Sequence, residues 1–247
     1  MQIFHNILDG LYLLLTLPGR LGALRRQAVR MVLLRQLLFT GWQSLPMVLM
    51  VGTAIGLILA VQLQGFLGGN SIGTLKALNT ALFLELGPLL TGIVLVARSG
   101  SAVATELASM RVNGEIRTLE SLGIPVQDYL VLPRVLAAVL SGPCLCLYLQ
   151  VAALGAAALV VLANGGQALG SVLSEVLSVP DVLLSMLKAA LFAGWVIAIT
   201  CTMGLSAGFA QAAVPVAASR AVTVSMLGLF ALDGLLLLFS RAGAALA

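Results

Sequence analysis

Charge is what this sequence has least of. Its 247 residues include 13 Lys and Arg and 9 Asp and Glu, so 9% of the chain is charged, against about 25% in soluble domains. That is too little polar surface to wrap a soluble core of this length. It excludes a soluble globular protein, a disordered chain and, despite the net charge of +4, a nucleic-acid binder. Lysine is scarcer still. The only two are Lys76, which follows Leu75, and Lys188, which follows Leu187. A phosphate-cradling Walker loop needs Gly-Lys before Ser or Thr, so any ATP chemistry has to come from another chain. The one histidine, His5, stands near the start of the sequence, which removes histidine-dependent catalysis inside a membrane. Cys144, Cys146 and Cys201 all lie in apolar runs. They read as small buried hydrophobes, and Cys144-x-Cys146 lacks the second ligand pair of a metal site.

What the chain has in quantity is apolar sequence, 60% of it, in continuous rather than alternating runs. Continuous runs fit membrane-spanning helices and not an outer-membrane barrel. The expected fold is therefore all-α and polytopic. Residues 1–40 form interfacial amphipathic helices, and residues 41–247 form a transmembrane domain. No basic region precedes Leu11–Leu17, so the start does not read as a signal peptide. Ile3, Phe4, Ile7, Leu8, Leu11 and Leu15 recur at helical spacing, as in a helix lying in the interface. Pro18-Gly19 breaks it. Arg20, Arg25, Arg26, Arg30 and Arg35 follow without an acid, a pattern that suits anionic headgroups or a topology signal. Five spans are expected near 44–65, 77–97, 130–163, 182–209 and 219–240, the third and fourth long enough to tilt or protrude. Counting Lys and Arg puts ten inside and three outside when the N-terminus is cytoplasmic, and five spans then put the C-terminus outside. No internal repeat is evident.

Residues 98–129 are the longest hydrophilic stretch and fall on the cytoplasmic side. Ala102 to Met110 and Glu115 to Leu122 read as helices joined near Asn113-Gly114, with Gly123 as a C-cap and Pro125 as a stop. Met110, Ile116, Leu119 and Leu122 make an apolar stripe; Arg111, Glu115, Arg117 and Glu120 make a charged one. Such an element lies on the lipid surface or docks into a partner, and the pattern alone does not choose.

Three ionisable residues interrupt the spans: Glu85, Lys188 and Asp233. Each costs at least about 2.5–3.5 kcal/mol at mid-membrane unless it finds a partner or a cavity. Counted from the span ends at about 1.5 Å per residue, all three sit about 10–12 Å below the outer surface. They are expected to cluster, with Lys188 between two carboxylates, either as a packing lock or as the polar base of a lipid cavity. Gly52-x-x-x-Gly56 and Gly204-x-x-x-Gly208 permit close helix approach, the first pair being the candidate dimer or close-packing face. Leu57, Val61 and Gln64 share another face of the first span. They read as a lipid groove with Gln64 at its mouth, or as ordinary lipid-facing packing.

The run from Glu85 to Ala137 resembles the signature of the MlaE (YrbE) permease family, the membrane subunits of ABC-type lipid transporters. The matching pieces are Glu85-Leu86-Gly87-Pro88, Arg98-Ser99-Gly100-Ser101-Ala102, Glu106, Met110, Asn113, Glu115-Ile116, Leu119, Gly123, Pro125 and Leu132-Pro133-Arg134. Arg35-Gln36, Ser219-Arg220-Ala221-Val222 and Asp233 extend the likeness more weakly along the chain. Where the family is glycine-rich before Arg220, this sequence reads Ala213-Val214-Pro215-Val216-Ala217-Ala218, which touches the shape of the last cytoplasmic loop. The resemblance implies a homodimer in a bacterial inner membrane that moves phospholipid between that membrane and a periplasmic MCE-domain carrier and maintains outer-membrane asymmetry. It implies a separate cytoplasmic ATPase that holds ATP and Mg, a STAS-domain protein in many systems, and no cofactor or metal on this chain. The loop after the second span would dock the ATPase, making Arg98, Ser99, Gly100, Ser101, Glu106, Met110, Arg111, Glu115 and Leu119 the candidate coupling residues. Two other readings stand beside it. One is a stand-alone ion- or proton-coupled transporter using Glu85, Lys188 and Asp233. The other is an intramembrane lipid enzyme built on Ser99 and Ser101, which lacks a histidine to activate either serine.

Overall fold

The computed structural model describes residues 27–66, 71–164 and 179–246, with Gly10 besides. The interfacial helix expected over residues 3–15 and the arginines up to Arg26 lie outside them. Among the described residues, five helical runs are long and apolar enough to cross a membrane: Val29–Phe66, Gly73–Val112, Gln127–Ala163, Val179–Leu205 and Ala213–Phe239. All described regular structure is helical, as a hydrocarbon solvent requires of a chain that cannot close into a barrel.

Helix α1 (Gln27–Thr40) ends at Gly41, and a short 3₁₀ turn over Trp42–Ser44 leads into α2 (Leu45–Phe66). Pro46 is in the first turn of α2, where a missing N–H is harmless. The 22 residues of α2 span about 33 Å, enough for the hydrocarbon core. Its buried face is Val48, Gly52, Gly56 and Ala60, a four-residue repeat that lays α2 along the helix Leu132–Ala163.

The second span is built in pieces. Helix α3 (Ser71–Ala81) runs into a π turn over Leu82–Leu86, then α4 (Gly87–Leu95), a second π turn over Val96–Gly100, and α5 (Ser101–Val112). The first π turn has a cause in the sequence. Pro88 has no N–H, so the carbonyl four residues before it, Leu84 O, has no helical donor. The wide turn displaces the ladder there, and the Gly87 N–H bonds Leu82 O instead. The same arrangement recurs at Leu132-Pro133, where a π turn over Gln127–Val131 precedes α7 (Leu132–Ala163).

Residues 98–112 continue the second span without a break, with Val103, Ala104, Leu107 and Ala108 buried. Only α6 (Glu115–Ser121) and its flanks turn back. Gly114 (φ 79°) and Gly123 (φ 71°) sit in the left-handed region that ends α5 and α6, a conformation that costs glycine little.

Helix α8 (Val179–Leu205) is the centre of the bundle, packed on α4, α5, α7 and the last helix, Ala213–Leu246. It buries Phe192, Ile197 and Ile199 completely. Close approach comes from small residues, as expected where lipid provides no hydrophobic drive. A Cβ on Gly204 would lie 2.8 Å from Leu107 Cβ, and one on Gly142 would lie 2.7 Å from Ala193 Cβ. Helix α9 (Ala213–Leu246) starts earlier than expected. Pro215 falls in its first turn, so the alanine-rich stretch before Arg220 is helix and not loop. Ala217, Ala221, Val224 and Leu229 face the bundle.

Candidate functional site

Lys188 stands on α8 opposite the π turn that Pro88 imposes. Its ammonium donates to Leu84 O at 2.8 Å and to Glu85 Oε2 at 3.3 Å. The first acceptor is the carbonyl that Pro88 leaves without a donor, so the lysine fills a gap the proline makes. The lysine side chain is 8% exposed and the glutamate 33%; the site is open on the glutamate's side. Asp233 on α9 is close enough to feel the charge of both, and its Oδ1 is buried without a hydrogen-bond partner among the described residues. Of the two acids expected beside Lys188, Glu85 forms the ion pair, and none to Asp233 occurs among the described residues.

A polar belt that sequence reading missed continues from this site. Gln150 on α7 is fully buried. It donates to Ser185 Oγ at 2.5 Å and to Leu82 O, in the same π turn, at 3.4 Å. Cys146 Sγ lies 3.5 Å from Ser185 Oγ. The only sequence signal was a lone glutamine in the middle of an apolar run. The belt links α7, α8 and the second span through one displaced turn.

The candidate coupling residues separate into two groups. Ser99 and Gly100 are buried. Arg98 reaches away from α5, donating to Phe39 O at 3.1 Å, Ser44 Oγ at 2.6 Å and Gln43 Oε1 at 3.1 Å. It also lies over the Phe39 ring at 5.4 Å. Arg98 thus fastens the α1–α2 corner to the second span. Ser101 Oγ bonds back to Ala97 O in its own helix. Glu106 pairs at 2.8 Å with Arg134, whose side chain is 3% exposed while the glutamate is 52% exposed. Arg134 also donates to Leu130 O, and its role as a buried anchor was not foreseen. Arg111 donates to Leu205 O, the last carbonyl of α8, and covers the Phe209 ring. Met110 and Leu119 pack on the main core. Glu115 is exposed.

The glycine pair in α2 is used within the chain. A Cβ on Gly52 would lie 2.6 Å from Leu149 O, and one on Gly56 would strike the Ala153 backbone. That face is covered by α7, so as a dimer surface it is corrected to an internal seam. Leu57 and Val61 point outward. Gln64 accepts a hydrogen bond from Asn164 Nδ2 at 2.8 Å, which ties the ends of α2 and α7 rather than standing open at a groove mouth. Among the described residues no three His, Cys, Asp or Glu side chains group in a way that could hold a metal.

The family described as Permease MlaE matches residues 33–239 of this chain. A probable ABC transporter permease protein of Rickettsia typhi is 35% identical over 202 residues, 78% of this chain and 77% of that protein. Trigalactosyldiacylglycerol 1, a chloroplastic protein of Arabidopsis thaliana, is 34% identical over 218 residues, 85% of this chain and 62% of that one. The intermembrane phospholipid transport system permease protein MlaE of Haemophilus influenzae is 34% identical over 118 residues, 46% of this chain and 44% of that protein. With that protein and with several rickettsial permeases, the match spans about half of the relative's length.

Proposed function

The chain belongs to the MlaE permease family, and from that premise we propose that it is the membrane subunit of an ABC transporter that moves phospholipid between a bacterial inner membrane and a periplasmic MCE-domain carrier. A homodimer, a cytoplasmic ATPase that binds ATP and Mg, and in some systems a STAS-domain protein complete the proposal, with outer-membrane lipid asymmetry as its purpose. The observation that carries the reading is the family match over 33–239; the way the second span leaves the membrane supports it.

Helix α5 is no tether. It is held by Arg111 on the end of α8 and by the Glu106–Arg134 pair on the start of α7. A push on α6 is therefore delivered to α7 and α8 together. α8 in turn holds the displaced turn of the second span through Lys188. Nucleotide-driven movement at α6 thus has a stiff route to the paired charges. In this reading α6 and its neighbours, with Glu115 exposed and Leu119 half-buried, contact the ATPase. Arg98, Ser99, Gly100 and Ser101 transmit the movement.

The test is capture of the ATPase by the tagged chain from membranes that contain both. Glu115→Lys should reduce recovery of the ATPase without reducing membrane insertion. Full recovery and normal lipid transport in that variant would remove α6 from the docking surface.

A further inference from the structure

We propose that the groove between α1 and α7 binds a phospholipid with an anionic headgroup, its acyl chain lying in the groove and its phosphate meeting Arg30 and Arg35. The proposal rests on the lipid-permease reading and adds a specific site on this chain to it.

The groove has a volume of about 500 Å³, and Leu34, Leu38, Trp42, Cys144 and Tyr148 are among the residues lining it. Leu34, Leu38 and Trp42 are 63%, 64% and 73% exposed. At membrane depth a concave apolar surface is filled by what the solvent there supplies, which is acyl chain. The choice of headgroup comes from charge. Arg30 is one helical turn before Leu34, at the i,i+4 spacing that places two side chains on one face, and Arg35 stands at i,i+3 to Leu38. Both arginines are exposed. No acidic residue occurs anywhere between Asp9 and Glu85, so the α1 side of the groove carries only positive charge. Trp42 at the rim has the amphipathic ring that favours headgroup depth. A second copy docked symmetrically through this groove would bring arginine toward arginine, which favours lipid as the occupant.

The experiment uses the full chain with its ATPase, exchanged into detergent and offered phosphatidylglycerol or phosphatidylcholine of equal chain length. Native mass spectrometry counts retained lipid. Two surface arginines give an expected preference for the anionic lipid of up to about thirty-fold, at about five-fold each. Arg30→Gln with Arg35→Gln should bring the two lipids near parity. Leu38→Trp, which fills the groove, should lower retention of both.

Cys144 supplies a second readout. It is the one exposed cysteine of the three, and with Cys146→Ala and Cys201→Ala its modification by a maleimide should slow when phosphatidylglycerol is bound. An unchanged preference in the arginine variant, or a Cys144 rate indifferent to lipid, would overturn the proposal. So would oxidative Cys144–Cys144 cross-linking between copies in membranes, which would assign the groove to a second chain. ATP-dependent lipid transfer by the same preparations separates the two readings. Transfer by the unmodified complex with no groove preference sinks the groove alone; groove preference with no transfer sinks the permease reading and leaves a lipid site.

Discussion

Replacing Lys188 with methionine removes a donor that serves two acceptors, so it should cost more than neutralising Glu85 alone. Lys188 Nζ holds Leu84 O at 2.8 Å and Glu85 Oε2 at 3.3 Å. Lys188→Met strands both. Breaking a buried ion pair from one side costs about 3–5 kcal/mol, and the lower end applies because Glu85 is 33% exposed. Leu84 O adds about 1–3 kcal/mol as an unsatisfied carbonyl, because Pro88 denies it a helical donor. Glu85→Gln, by contrast, keeps an acceptor for the ammonium and leaves Leu84 O satisfied, so about 2 kcal/mol is expected, most of it from the Lys188 charge left without a carboxylate. Unfolding of the purified protein in detergent measures both. Adding Pro88→Ala to Lys188→Met restores an N–H opposite Leu84 O and should recover about 1 kcal/mol. The double variant Lys188→Met with Glu85→Gln should fall short of the sum of its parts, since contacting residues couple. Equal losses for the two single variants, or strict additivity in the double, would refute the reasoning.

The seam between α2 and α7 gives a sharp contrast. Gly56→Leu should destabilise by at least about 1–3 kcal/mol through overpacking, whereas Gly155→Leu, with nothing within 4 Å of its Cβ position, should leave the unfolding midpoint near that of the parent. Arg98→Gln should speed hydrogen exchange over α1 while α4 and α8 stay protected, because its hydrogen bonds to Phe39, Gln43 and Ser44 hold that corner. Glu106→Gln leaves Arg134 buried without its carboxylate and should cost at least about 2 kcal/mol. Glu115→Lys, at an exposed position, should leave stability unchanged and show its effect only in ATPase capture.

The spans were legible because a hydrocarbon solvent writes its thickness into the sequence as uninterrupted apolar runs. The α5–α6 corner was equally plain, since Gly114 and Gly123 mark left-handed backbone that few other residues tolerate. Partnership over distance was not. Arg98 read as a coupling residue through the family resemblance and its place after the second span, but its acceptor Phe39 O is 59 residues away. Gly52 and Gly56 announced a close approach without saying to what, and the face met α7 rather than a second copy. Matched depth foretold that Lys188 would meet Glu85. It did not foretell the asymmetry toward Asp233, nor that the better acceptor would be a backbone carbonyl freed by Pro88. Gln150 and Arg134 were overlooked for one reason: a single polar residue in an apolar helix reads as incidental until its partner on another helix is known.

The central claim is that this chain moves phospholipid only when a separate ATPase drives it. The most direct measurement is transfer of labelled phospholipid between liposomes holding the reconstituted chain with its ATPase and an MCE-domain acceptor, with and without ATP. Transfer that requires both ATP and the ATPase, and is indifferent to an imposed pH gradient, is the expected result. Transfer by the chain alone, driven by that gradient and abolished by Lys188→Met, would contradict the claim and point to an ion-coupled transporter.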